Sequence, residues 1–201
     1  MILIGLTGIM GSGKSTVAAL LRRRGFEVVD LDAAAKDSLS RKEALEDIEN
    51  AFGPGYVRAG RVDVERLRQA AFTSGLLRVL EAIIHPRVRE EVRRKIALLE
   101  EKGVLVVFIE HPLLFEVGFY RRLDKIVLVT APMETIRERL RERGMEPGDI
   151  ERRLSFQIPL EAKKKKADCI IDNSGTEDRL EAQIDALIDK ITKQEVIIRC
   201  I

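Results

Sequence analysis

The sequence predicts an α/β fold, a five-stranded parallel sheet flanked by helices, and three observations carry that prediction. Five short apolar runs are spaced along the chain, as the buried strands of a parallel sheet would be. Stretches with apolar residues three and four apart fill the intervals, and strand–helix alternation is the pattern of a sheet covered on both faces. The first apolar run opens directly into a glycine-rich turn and then a helical pattern.

The elements follow in order. Residues 2–6 are an apolar run that ends at Gly8, and 15–24 place Val17, Leu20 and Leu21 on one helical face before Gly25. Residues 26–29 are a short second strand leading into Asp30-Leu31-Asp32. Residues 104–109 lie between Gly103 and Pro112 as a central strand, with 125–129 the fourth strand and 169–171 the fifth. Helical patterns cover 43–52, 64–72, 86–102 and 132–143, and a terminal helix over 177–193 aligns Leu180, Ile184, Leu187 and Ile191. Val196-Ile197-Ile198 reads either as a short extra strand or as a frayed tail. A single domain over 1–201 is expected. Its core is about 1–32, 103–136 and 167–201, interrupted by a nearly all-helical insertion at 33–102 and a basic insertion at 137–166.

Composition narrows the function classes. Of 201 residues 45% are hydrophobic, enough for a sizeable core, and 34% are charged. Thirty-five basic residues nearly cancel 33 acidic ones, so the net charge of +2 does not suggest a nucleic-acid-coating or membrane-coating protein. The two cysteines, Cys169 and Cys200, form no CxxC or Cys/His cluster, so neither a disulfide framework nor a zinc site is expected. No apolar run approaches the roughly 18 residues of a membrane helix. The first five residues carry no basic segment of the signal-peptide kind, so the expected compartment is the cytoplasm. No apolar interface stands out, and a monomer is the expectation.

The strongest signal is Gly8-Ile9-Met10-Gly11-Ser12-Gly13-Lys14-Ser15, a full GxxxxGK-Ser P-loop between a predicted strand and a predicted helix. Its glycines let successive backbone N–H groups converge on phosphate oxygens, and the following helix adds its positive end. Lys14 reaches the β- and γ-phosphates, and the Ser15 hydroxyl can ligate Mg²⁺. Gly8, Met10, Gly11, Ser12, Gly13, Lys14, Ser15 and Thr16 are therefore the expected nucleotide-binding residues, for a nucleoside triphosphate with Mg²⁺.

Further candidates lie at the carboxyl ends of strands, where the ligand crevice of an open α/β sheet lies. Asp32 could accept the proton of an attacking hydroxyl, while Asp30 and Asp32 also suit helix capping before Ala33. Glu110 closes the third strand where a metal-shell acid sits, followed by His111, which suits a structural hydrogen bond as well as a substrate contact. An NKxD base-reading motif of GTPases is absent. Arg139 and Arg143, four apart, share a helical face and could clamp phosphate in a covering flap, whereas Arg137 and Arg141 suit a solvated face with Glu138 and Glu142. Lys163 to Lys166 read mostly as a solvated turn.

Read together, these features resemble the dephospho-CoA kinase family over about residues 2–190. The match adds Asp30-Leu31-Asp32 for DxD, Gly60-Arg61-Val62-Asp63 with Ala71-Phe72, His85-Pro86-Arg87-Val88-Arg89 for HPxxR, and Pro112-Leu113-Leu114-Phe115-Glu116 for PLLFE. Arg139 to Arg143 match RLxxR, Arg153 and Gln157 match RxxxQ, and Glu161-Ala162-Lys163 and residues 167–175 complete the order. The resemblance implies a nucleoside-monophosphate-kinase-like fold that phosphorylates the ribose 3′-hydroxyl of dephospho-CoA with ATP, the last step of coenzyme A synthesis. It implies Asp32 as base, Lys14 and Ser15 on ATP and Mg²⁺, and Arg139 as lid clamp in a lid over 137–166. It also implies Asn173 on the nucleotide side, and His85, Arg89, Pro112 and Leu113 with Asp32 on the acceptor side, with 33–102 as the acceptor-binding subdomain. Dephospho-CoA is then the partner, with no nucleic acid or membrane. The chain departs from the family at Glu110, usually Asp, which could reach Mg²⁺ through water, and at His111, usually apolar. Another small-molecule kinase and a regulatory nucleotide-binding protein are the competing readings; the first lacks the HPxxR and 167–175 motifs.

Overall fold

Apolar strands that alternate with amphipathic helices build the sheet in this computed structural model, which describes residues 1–64, 66, 67, 70 and 75–199. Along the chain run β1 (Ile2–Thr7), α1 (Lys14–Arg23), β2 (Glu27–Asp30), α2 (Leu31–Leu39), α3 (Lys42–Phe52), β3 (Val57–Arg58), β4 (Arg61–Val62) and α4 (Leu77–Glu101). There follow β5 (Val106–Glu110), β6 (Lys125–Thr130), α5 (Met133–Glu142), α6 (Pro147–Ser155), α7 (Leu160–Lys164), β7 (Cys169–Asp172) and α8 (Glu177–Arg199). The chain divides into two compact units, Met1–Val28 with Leu105–Ile201, and Val29–Val104.

The parallel sheet has the order β2-β5-β1-β6-β7. In register, Ile4 pairs with Phe108 of β5, Leu6 with Val127 of β6, and Leu128 with Ile170 of β7. Every residue of β5 is buried, and so is β6 beyond Lys125, which is why these strands read as unbroken apolar runs rather than as alternations. Val17, Leu20 and Leu21 of α1 pack with Ile4, Leu6, Phe108 and Val129, and Leu180, Ile184, Leu187 and Ile191 of α8 join the same cluster. A large-to-small change in so well-filled a core costs roughly 2–5 kcal/mol. That rigidity fixes the carboxyl ends of β1, β5, β6 and β7, from which the candidate residues project.

The second unit has its own core of Leu39, Ala44, Ile48, Leu67 and Leu80. Helices dominate it, and one feature the sequence did not signal interrupts them: β3 and β4 pair as a small antiparallel hairpin, Val57 opposite Val62. Its two-residue turn has positive φ at both Ala59 (49°) and Gly60 (71°), the backbone that matches strand twist. Helix α4 begins at Leu77, nine residues ahead of Pro86, where the sequence placed its start; Pro86 lies inside it. The Arg87 guanidinium donates to the Ile83 carbonyl at 2.8 Å, giving an extra donor to a helical turn disturbed by the missing proline N–H. The helix expected over 64–72 is helical at Val64, Arg66, Leu67 and Ala70, and its other residues, with Ala71 and Phe72, lie outside the described residues. Residues 196–198, left open as strand or tail, continue α8.

Candidate active site

The turn after β1 is built for an anion. Gly13 is the N-cap of α1 in a left-handed conformation, with φ of 90°; no side chain caps the helix and no acid lies in its first turn. The first N–H groups of α1 are thus left for a ligand, with the helix dipole behind them. Glycine is required at Gly13, because a Cβ there would stand 1.8 Å from Asn173 Nδ2. At Gly8 it would meet Ser12 Oγ at 2.5 Å and the Val129 carbonyl at 2.6 Å.

Beside the loop, Lys14 Nζ donates to Glu110 Oε1 at 2.8 Å, and Ser15 Oγ donates to the same oxygen at 3.4 Å. Glu110 is nearly buried, and Arg22 stands 3.9 Å from its other oxygen. The sheet register explains the meeting: Glu110 ends β5 opposite Leu6, just before the P-loop leaves β1. His111 takes the structural alternative, its Nδ1 accepting from Leu113 N at 3.3 Å. The Pro112 carbonyl accepts from Thr7 Oγ1 at 3.4 Å.

The 137–166 segment meets the loop from the other side. Asn173 Nδ2 donates to the Ser12 carbonyl and Arg139 donates to the Asn173 carbonyl, both at 2.9 Å. Arg139 Nη1 is buried with no protein acceptor. Arg139 and Arg143, aligned by their spacing in the sequence, line one cavity of about 400 Å³ with Gly13, Thr16, Asn173 and Leu180. Arg137 instead pairs with Glu151 of α6 at 2.7 Å, rather than with Glu138 or Glu142, because α6 packs on α5 through Ile136, Leu140 and Ile150. Gln157 Oε1 accepts from Met10 N at 3.0 Å and so fixes the loop's outer bend.

Four candidates, Asp30, Asp32, His85 and Arg89, belong to the second unit. Asp30 is the cap of α2, its carboxylate accepting from Asp32 N at 2.8 Å and Ala33 N at 3.2 Å, so the capping alternative holds for Asp30. Asp32 occupies the first turn of α2 with an exposed side chain. His85 and Arg89 are both exposed on α4, four residues apart and so on one face.

The family model for dephospho-CoA kinase matches residues 2–178. The chain belongs to the dephospho-CoA kinase family. A dephospho-CoA kinase from Symbiobacterium thermophilum is 42% identical over 92% of this chain and 79% of that protein. One from Corynebacterium glutamicum is 39% identical over 95% of this chain and 98% of that protein. A solved structure from Thermus thermophilus superimposes with a TM-score of 0.79 at 40% identity, covering 94% of this chain and 97% of that one. The dephospho-CoA kinase from Campylobacter jejuni gives 0.74 at 26%, covering 96% and 98%. A shikimate kinase from Bacteroides thetaiotaomicron, at 17% identity with a TM-score of 0.52 over 95% and 98% of the two chains, shares the fold.

In this member of the dephospho-CoA kinase family, Lys163 stands apart from the mostly solvated turn read over 163–166: it is fully buried and lies 2.8 Å from Glu116 Oε1. A run of lysines hides which one turns inward, and only its motif Glu161-Ala162-Lys163 marked it. Glu142 and Leu180, read from the sequence only as a solvated-face and a packing position, also line the Arg139 cavity, as does Glu177.

Proposed function

We propose that this chain transfers the γ-phosphoryl group of ATP to the ribose 3′-hydroxyl of dephospho-CoA, releasing coenzyme A and ADP. The observation that carries the reading is the uncapped α1 N-terminus with Lys14 and Glu110 beside it, in a chain that the family model matches over residues 2–178. Lys14 leaves Glu110 for the β- and γ-phosphates, which the loop amides of residues 8–16 cradle. The cavity lined by Gly13, Thr16, Arg139 and Asn173 takes the nucleoside, and Arg139 Nη1 supplies a donor to bound ATP.

Asp32 accepts the proton of the 3′-hydroxyl as its oxygen bonds to Pγ and the bond from Pγ to the bridging oxygen of ADP breaks. His85 and Arg89, with the 33–102 segment and with Pro112 and Leu113, receive the acceptor. Residues 137–166 cover the site and exclude water, which a kinase must deny the phosphoryl group.

Triphosphate chemistry on this fold implies Mg²⁺. The donor set fits: a serine hydroxyl and a carboxylate oxygen 3.4 Å apart are hard ligands. No cluster of three or more His, Cys, Asp or Glu occurs among the described residues, so phosphate oxygens and water would complete the shell, as Mg²⁺ prefers. Ser15 would hold the ion directly and Glu110 through water, and the bound ion neutralises phosphate charge.

The test is ADP release and product analysis with MgATP and dephospho-CoA, with AMP, shikimate and gluconate as parallel acceptors. Coenzyme A formed from dephospho-CoA alone is expected. Turnover confined to another acceptor would contradict the reading.

A further inference from the structure

Lys163 has an exposure of 0%, although it carries a charge, and the reaction assigned above makes no use of it. Its ammonium donates to the Pro112 carbonyl at 2.8 Å and meets Glu116 Oε1 at 2.8 Å. One cation thus holds the 112–116 segment at both ends. The same Glu116 oxygen accepts from Ile158 N at 2.8 Å, in the connection between α6 and α7. The neighbouring Gln157 is fixed in turn to Met10 of the P-loop. Glu116 Oε2 is buried with no protein donor and the Glu116 side chain is 16% exposed, so a fully buried ammonium meets a largely enclosed carboxylate. Burying such a pair is expensive and by itself seldom stabilising, so stability alone is a weak account of its place here.

We propose that Lys163 is a positioning residue: through the Pro112 carbonyl and Glu116 it presets the loop after β5 that receives the acceptor. The proposal rests on the reading that Pro112 and Leu113 face dephospho-CoA. A loop held at 112 and 116 presents residue 113 in one conformation, so the acceptor meets a formed surface and no ordering cost falls on binding. A displacement of an ångström at a reacting group can cost about 100-fold in rate. Burial draws the Lys163 ammonium below the ordinary lysine range, and the hydrogen bond and charge of Glu116 oppose it.

The test compares wild type with Lys163→Met and Glu116→Gln. Steady-state kinetics with each substrate are run beside amide hydrogen exchange at Leu113 and Ile158. The expected result for Lys163→Met is a KM for dephospho-CoA raised by about 10-fold or more, with ATP affinity nearly unchanged and faster exchange at both amides. A folded variant with a wild-type KM for dephospho-CoA, or with both substrates equally weakened, would overturn the proposal. Should Lys163→Met not fold, Glu116→Gln decides by the same split. Were the wild type inactive on dephospho-CoA, the functional reading would fail on its own. Unchanged exchange at Leu113 and Ile158 in the variants would then overturn the strut independently.

Discussion

Gly13 shows how far single residues were legible. The motif named it, but only the fold shows that Asn173, far along the chain, closes on it and donates to the Ser12 carbonyl. Gly13→Ala is predicted to abolish ATP binding while leaving the sheet folded, because the added methyl and the left-handed φ of 90° both strike the loop. Calorimetry with ATP checks this, and near-normal affinity would contradict it. Lys14 and Ser15 were equally legible, since phosphate chemistry dictates their spacing. Lys163 was not, because burial depends on partners that lie elsewhere in the chain. Glu110 tests the departure from the family. Glu110→Asp is predicted to retain activity within about 10-fold, and Glu110→Ala to lose about 100-fold with a raised Mg²⁺ requirement. Magnesium titrations of turnover separate the two, and an alanine variant with normal Mg²⁺ dependence would remove Glu110 from the metal shell.

Elements were legible where periodicity was strong. The central strands and α8 announce themselves by continuous apolar runs and by spacings of three and four, whereas β3 and β4 are too short to show a period. Pro86 misled for a physical reason: proline favours the first turn of a helix, so it read as a start. Inside α4 it removes a hydrogen bond, so Pro86→Ala is predicted to raise the melting temperature, recovering part of the roughly 3 kcal/mol an interior proline costs. A lower melting temperature would mean that the contacts and fixed backbone of Pro86 outweigh the hydrogen bond it removes. Helices α2, α3 and α4 also share a charge cluster. Glu91, 3% exposed, pairs with Arg41, with Arg94 at 2.7 Å and with Lys95 at 3.9 Å, and Lys95 reaches Asp37 at 2.7 Å. The Arg94 hydrogen bond leads in holding the Glu91 carboxyl below its usual range, aided by the charges of Arg41 and Lys95 and opposed by burial. A carboxylate whose folded pKa is depressed stabilises fully above its unfolded value, about 4.3 for glutamate, and loses that contribution as pH falls through the folded value. Urea unfolding is therefore predicted to weaken more steeply below about pH 4.3 for wild type than for Glu91→Gln. Parallel slopes would show the cluster to be energetically silent.

For the whole molecule, 45% hydrophobic residues and near-balanced charge fit an α/β protein, and the order of motifs along the chain pointed to one family. The sequence reading was one domain with an insertion at 33–102, drawn from an interruption in strand alternation; the second compact unit runs over Val29–Val104, and the hairpin inside it had no signal in the sequence. What the family pattern asserts and local geometry does not supply is the chemistry of Asp32, and with it the acceptor. The decisive measurement is phosphorus NMR of the product formed from MgATP and dephospho-CoA, run with wild type and Asp32→Asn side by side. A 3′-phosphomonoester is predicted, formed about 10²–10⁴ times more slowly by Asp32→Asn at unchanged ATP affinity. Phosphate at another position, or an Asp32→Asn enzyme as fast as wild type, would contradict it.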